Sequence, residues 1–152
     1  MNRTAITLAA SALLAAPAFA SDIVSRTSPH DVATTVAKLT AAIEKSPATL
    51  FTTVDHAAGA AKAGLEMAPA TLVIFGNPKI GTPIMKAAPG AGLDLPIRVL
   101  VRAQGEGSVL ETTAVSALRA RHGIEEGADE AADKAFAAME GAVTKLMEAA
   151  TR

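Results

Sequence analysis

The chain has 152 residues, 14 lysines and arginines against 15 aspartates and glutamates, and a formal net charge of −1. This balance argues against nucleic-acid binding and against a basic membrane-binding patch. The chain has no cysteine, tryptophan or tyrosine and only four phenylalanines. It therefore has no disulfide, thiol catalyst, zinc–thiolate site, iron–sulfur site or covalent c-type haem, and few rings on which bases or sugars could stack.

Residues 1–20 have the order of features that is typical of a secretory signal peptide. Arg3 supplies a positive charge, an uncharged run rich in Ala, Ile and Leu follows, a proline ends it, and Ala18-Phe19-Ala20 is a small-x-small cleavage signal. The run is shorter than the roughly 20 residues that a membrane span needs. We therefore predict a mature chain of 132 residues that starts at Ser21, has no membrane span, and is periplasmic or secreted.

Strand and helix signals alternate along the mature chain. The apolar residues Val32, Val36, Leu39 and Ile43 recur at helical spacing. The first half of the mature chain predicts a strand at Asp22–Thr27, a helix opened by Ser28-Pro29, a strand at Leu50–Val54 and a helix at Ala57–Ala63 capped by Asp55. The middle predicts a strand at Thr71–Phe75, a helix capped by Thr82 before Pro83, and a strand at Leu95–Arg102. A hairpin turn, a strand at Ser108–Thr113 and helices at Val115–His122 and Asp129–Ala150 follow.

Two of these predictions bear on the architecture. Thr71–Phe75 is a continuous apolar run, which predicts a central strand that is buried on both faces. The last helix has an acidic start and one apolar stripe, and three placements remain open for it: on the domain, on a second subunit, or as a loosely attached tail. Because the placement of this helix is open, we list it separately and divide the chain into a signal peptide at 1–20, a domain at 21–124 and a C-terminal amphipathic helix at 125–152.

Several segments together resemble the DUF302 family. They are Val54–Gly64, Leu72–Lys79, Gly81–Met85, Gly92–Pro96 and Ala120–Gly123, within a span of residues 28–123. The resemblance implies a small α+β fold, also called TT1751-like, and the elements predicted above give it a four- to five-stranded sheet in the order βαβαβαββα. It also implies a tendency to form homodimers and no established activity.

The chain departs from the family pattern in its second half. The family usually has a Trp-Glu-Asp stretch and a Tyr-Asn-Asp-Pro segment, where this chain has Arg102–Gly105 and Thr112–Val115. An activity that needs those polar and aromatic groups therefore does not carry over.

Polar residues follow two predicted neighbouring strands. Asp55 and His56 come after one, and Asn77, Lys79 and Thr82 come after the next. Ligands favour the carboxyl ends of strands in open α/β sheets, and backbone N–H groups at a helix start suit an anion. We therefore predict a small anion-accepting pocket formed by these five residues. The alternative is that they are only helix caps, a turn and a solvated lysine; the segment lacks the Gly-Lys-Thr order of a P-loop.

Other chemistry has weaker support. His30, His56 and His122 have no histidine partner at helical spacing, and no serine lies in a nucleophile elbow. We predict no catalytic or metal-ligating residue and name no cofactor. The leading hypothesis is a non-catalytic, dimeric protein that binds a small ligand or a partner. The alternatives are a hydrolase or lyase with His56 as base and Asp55 orienting it, or a metal or haem site at His56.

Overall fold

The computed structural model describes residues 22–152. The predicted signal peptide lies outside the described residues, and its removal stays a prediction. The elements are β1 (Ile23–Ser28), α1 (Val32–Glu44), β2 (Thr49–Asp55), α2 (His56–Lys62), β3 (Ala70–Gly76), α3 (Pro78–Ala87), a short 3₁₀-helix (Pro89–Leu93), β4 (Ile97–Gln104), β5 (Gly107–Thr113), α4 (Val115–Arg121) and α5 (Glu130–Ala150).

The strands form one five-stranded antiparallel sheet in the order β1-β5-β4-β3-β2. Strands β2 to β5 follow one another as a meander, and β1 pairs with β5 at the far edge. The predicted α+β class, the number of strands and the order of elements are confirmed.

The core lies between the sheet and the helices α1, α3 and α5. Side chains from alternate positions of the central strands meet apolar residues of these three helices. This core includes Leu39, Ile43, Val73, Phe75, Ile84, Ile97, Val99, Val101, Leu110, Phe136, Met139, Val143, Leu146 and Met147. Helix α5 supplies many of them, so it packs on the domain, which decides among the three placements that the sequence left open.

Strand β3 lies inside the sheet as predicted, but its predicted burial on both faces is wrong. Val73 and Phe75 face the helices and are buried, whereas Leu72 and Ile74 are half-buried on the opposite face. The run is continuous because both faces carry apolar side chains, although α1, α3 and α5 cover only one of them.

Two helices begin at residues other than the predicted caps. Helix α1 is capped by Asp31, whose carboxylate accepts the N–H of Thr34 at 2.7 Å, because Ser28 is already the last residue of β1. Helix α3 begins at Pro78 behind Asn77, so the predicted cap Thr82 lies inside the helix.

A cluster of three buried hydroxyls joins β1, α1 and β5. Thr35 Oγ1 lies 2.9 Å from both Ser28 Oγ and Ser108 Oγ, and Ser108 Oγ donates to the carbonyl of His30 at 2.9 Å. Because buried hydroxyls need partners, this cluster fixes how the start of α1 sits on the edge of the sheet.

The end of α5 is tied to the opposite end of the sequence. Arg26 of β1 forms an ion pair with Glu148 at 3.2 Å. The carbonyl of Arg152 accepts from Lys38 Nζ at 2.7 Å and lies 3.2 Å from His30 Nε2. His30 is therefore half-buried, with its ring next to the last residue of the chain.

Candidate functional site

The five residues predicted to form one pocket do not lie together. Strands β2 and β3 are antiparallel, with Asp55 opposite Thr71 and Thr49 opposite Gly76. Asp55 and His56 therefore lie at one end of the sheet, and the residues after β3 lie at the other, about 20 Å away at about 3.4 Å per residue. The predicted grouping is wrong because it required β2 and β3 to run parallel. The connection between them is long enough for either direction, and the strands pair antiparallel.

Asp55 caps α2, as the sequence predicted. Its carboxylate accepts the N–H of Ala58 at 2.9 Å. His56 is exposed, and among the described residues its ring has no hydrogen-bond partner. This pair lines neither the groove described below nor a smaller cavity beside Asp94.

The turn after β3 uses its own backbone N–H groups. Asn77 Oδ1 accepts the N–H of Lys79 at 2.9 Å, and the carbonyl of Asn77 accepts the N–H groups of Ile80 and Gly81, both at 2.9 Å. The prediction that this turn offers its N–H groups to an anion is therefore not supported at these three positions.

A large groove opens at the end of the sheet that carries Asn77 and Thr82. It has a volume of about 740 Å³ and lies between the loop after α1, the start of β2, the end of β3, helix α3, the segment that leads into β4 and the middle of α5. The residues that line it are mostly apolar: Pro47, Ala48, Phe51, Phe75, Gly76, Pro78, Ile80, Gly81, Met85, Leu95, Pro96, Ile97, Ala137, Ala138, Met139, Gly141, Ala142, Val143 and Leu146. Asn77 and Thr82 lie in this groove, whereas Lys79 does not.

The groove owes part of its wall to a β-bulge in β2. The pairing register with β3 shifts between Leu50 and Thr52, which leaves Phe51 as the extra residue. Bulges redirect a side chain relative to the alternation of the strand. The ring of Phe51 lies against Gly76 at the mouth of the groove and remains 55% exposed.

Helix α5 forms a wall of small residues on the other side. Ala137, Ala138, Gly141 and Ala142 line the groove, and a Cβ atom added at Gly141 would meet no atom within 4 Å. Glycine in a helix interior costs about 0.5–1 kcal/mol relative to alanine. The small side chains keep space open beside the helix.

Few polar groups line the groove. They belong to Ser46, Asn77, Thr82 and Lys145. Ser46 Oγ is engaged, since it donates to the carbonyl of Ile43 at 2.8 Å and accepts the N–H of Ala48 at 3.1 Å. Among the residues that the structure describes, Lys145 is the single ionisable one in the lining.

A second polar cluster joins two segments that the resemblance singled out. Asp94 Oδ2 accepts from His122 Nε2 at 2.8 Å, and Asp94 Oδ1 accepts from Arg121 at 2.8 Å and from Arg98 at 3.3 Å. The hydrogen bond from His122, helped by the positive charges of Arg121 and Arg98, holds the pKa of Asp94 below its ordinary value.

The cluster of Asp94 and His122 was not predicted from the sequence. There His122 was named only among the histidines without a histidine partner at helical spacing, and Asp94 was not singled out. Their common presence in the family-like segments was the available signal. The cavity beside Asp94 has a volume of about 10 Å³, about enough for one water molecule, so the cluster links the loop before β4 to α4 and offers no room for a larger ligand.

The described residues offer neither a metal cluster nor a membrane-spanning helix. Within residues 22–152, no group of three or more histidines, aspartates or glutamates is placed to hold a metal ion. In the same part of the chain, no helix has the length and apolar character needed to cross a membrane.

Curated relatives match most of this chain but only part of their own length. The chain is similar to "Fluoride-specific ion channel FluC 1" of Brucella suis biovar 1 and to the protein of the same name in Brucella abortus biovar 1, with 42% identity over 126 residues to each. The match covers 82% of this chain and 49% and 46% of those proteins. The chain thus spans about half the length of the curated relatives it matches.

A solved structure has the same fold. The crystal structure of an uncharacterized conserved protein DUF302 from Bacillus stearothermophilus matches with a TM-score of 0.74 and 13% identity, covering 88% of this chain and all of that one. The family described as "Domain of unknown function DUF302" matches residues 24–143, and so continues beyond residue 124 into α5. The chain therefore belongs to the DUF302 family.

Proposed function

We propose that this protein is a non-catalytic binding protein that holds a small, mostly apolar molecule in the groove between β2, α3 and α5. The groove itself carries the proposal. Its volume of about 740 Å³ falls within the roughly 300–1,000 Å³ of pockets that hold small ligands, which are typically apolar with a few polar groups.

The packing around the groove supports a ligand. Protein interiors are close-packed, and few voids exceed the size of a water molecule. Here Phe51 stands exposed at the mouth and Gly141 leaves open space in the wall. Removing apolar surface from water is worth about 25 cal/mol per Å², so an apolar molecule that fills the groove would gain binding free energy from these walls.

The predicted location and assembly are part of the proposal. The leader-like residues 1–20 support export to the periplasm or beyond. Strand β2 supports a homodimer, because it is an edge strand with exposed Phe51 and Val54, and unprotected strand edges can pair with another chain. The alternatives that use His56 gain no support from its exposed position away from the groove.

The curated relatives suggest a second role for this chain, as a unit that works together with a membrane channel. They are named fluoride-specific ion channels, and this chain matches about half of each. Because no helix in residues 22–152 can cross a membrane, we propose that the match lies outside the membrane-spanning part of those proteins. Fluoride flux through the Brucella suis relative, with and without the matching half, tests whether that half contributes to conduction.

A neutral fluorescent probe tests the groove. N-phenyl-1-naphthylamine brightens in apolar surroundings, and we expect it to bind the mature protein. Gly141→Phe should place a ring in the groove and weaken binding at least tenfold. Gly59→Phe is the matched control, because Gly59 also lies in a helix with open space around it, in α2, outside the groove.

Two results would count against the proposal. One is a wild-type protein that does not bind the probe. The other is a Gly141→Phe variant that binds as well as Gly59→Phe does. Gly141→Leu, with a smaller side chain, and circular dichroism of each variant separate a blocked groove from an unfolded protein.

A further inference from the structure

We infer that the ligand of the groove is an amphipathic carboxylate, with a hydrocarbon body along the apolar walls and its charged end paired with Lys145. This inference rests on the proposed function, and it goes further by naming the chemical class of the ligand.

The groove has a positive charge and no negative one. Within residues 22–152, Lys145 is its single ionisable lining residue, and no aspartate or glutamate lines it. An anion placed there would meet an attractive charge and no repulsive one, whereas an organic cation would meet the reverse. One ammonium group matches one carboxylate, so a monoanion suits the site better than a group with two negative charges.

Lys145 has no ion pair within the described chain. The acidic residue one turn further along α5, Glu148, is already engaged with Arg26 at 3.2 Å and lies 3.9 Å from Arg152. The exposed lysine can lay its methylene stem along an apolar wall while its ammonium stays in water. An attraction between charges strengthens beside low-dielectric walls, so a ligand that covers the wall would also strengthen the pairing.

Two neutral side chains add hydrogen-bonding capacity to the lining. Asn77 uses its Oδ1 to cap α3, which leaves its amide N–H₂ without an acceptor among the described residues. The hydroxyl of Thr82 likewise has no hydrogen bond there. Both can donate to an oxygen of the ligand, and with Lys145 they make the polar part of the lining rich in donors, which favours an acceptor group such as a carboxylate.

Three ligands with the same hydrocarbon chain test this inference. Decanoate, decanol and decyltrimethylammonium differ in the charge of their head group, and each would be titrated against bound N-phenyl-1-naphthylamine in the mature protein. We expect decanoate to displace the probe at a concentration at least fivefold lower than decanol, and decyltrimethylammonium to be the weakest of the three. Added salt should narrow the gap between decanoate and decanol.

Lysine variants locate the charge. Lys145→Met keeps the stem and should abolish the preference for decanoate over decanol, whereas Lys145→Arg should keep it. Lys86→Met is the matched control, because Lys86 is an exposed lysine of α3 outside the groove lining, and it should leave the preference unchanged.

The possible failures are distinguishable. Equal displacement by decanoate and decanol, a preference for the cation, or an undiminished preference in Lys145→Met would overturn the amphipathic carboxylate while the groove still bound the neutral probe. A protein that does not bind the probe would instead overturn the proposed function and this inference with it.

Discussion

Gly107 begins β5 where the backbone of β1 passes very close. A Cβ atom built on Gly107 would lie 2.3 Å from the carbonyl oxygen of Ser28 and 3.4 Å from the carbonyl carbons of Ser28 and Pro29. These are backbone atoms, which cannot rotate aside as the end of a long side chain can. Gly107→Ala must therefore shift β1 or β5 at the pair formed by Ser28 and Ser108.

The size of the effect follows from what this shift disturbs. Forcing an extra carbon into a packed site costs about 1–3 kcal/mol. The same shift strains the hydrogen bonds of Ser108 Oγ to Thr35 and to the carbonyl of His30, both 2.9 Å long, each worth about 1 kcal/mol. We expect Gly107→Ala to lower the free energy of unfolding by about 2–5 kcal/mol, a large share of the roughly 5–15 kcal/mol of an ordinary domain.

Urea denaturation followed by far-UV circular dichroism measures this loss, with two other glycines as controls. Gly105 has a φ of +59° and open space around it, so Gly105→Ala should cost only the left-handed backbone strain of about 1–2 kcal/mol. Gly141→Ala meets no atom within 4 Å and should stabilise the protein by about 0.5–1 kcal/mol. A loss for Gly107→Ala no larger than that for Gly105→Ala would refute the close approach of β1 as the cause.

Two further predictions concern polar groups that join separate elements of the fold. Because the pKa of Asp94 is lowered by His122 and Arg121, the unfolded state takes up its proton first as the pH falls, and the stabilisation is complete above about pH 4 and lost as the pH drops through the lowered pKa. Asp94→Asn should therefore lower the free energy of unfolding by about 2 kcal/mol near pH 7 and by less near pH 2, and an equal loss at both values would contradict this account. Thr35→Val should cost about 1–3 kcal/mol, because it takes a partner from two buried serine hydroxyls. Thr40→Val, where the hydroxyl bonds only its own helix, should cost little in the same urea titration; similar costs for the two variants would contradict the role of the cluster.

Local signals predicted the elements of this fold well. The apolar spacing that predicted α1 places Leu39 and Ile43 in the core, both fully buried, and Asp55 caps α2. Such signals depend on residues within one or two turns of each other, which the sequence displays directly. The misplaced cap of α3 is also a local error. Asn77-Pro78 and Thr82-Pro83 each combine a capping residue with a proline, and only one of the two pairs can start the helix.

The candidate site depended on distant relations and could not be predicted in the same way. The direction in which β2 pairs with β3 decided whether His56 and Thr82 would meet, and no local pattern encodes it. The groove combines β2, β3, α3 and α5 with the loop after α1 and the segment before β4. Phe51 reaches it through a bulge that the alternation of the strand does not predict. Lys145 appeared in the sequence as one more charge on an amphipathic helix.

The order of the sheet also has a consequence for how the chain folds. Neighbours from β2 to β5 are consecutive in sequence, so their pairing closes shorter connections than the pairing of β1 with β5 does and loses less chain entropy. The register of β1, by contrast, places Ile23 opposite Thr113, across almost the whole domain. We expect the meander to form first, and β1 and α5 to pack on it afterwards. The ion pair of Arg26 and Glu148 then joins β1 to α5.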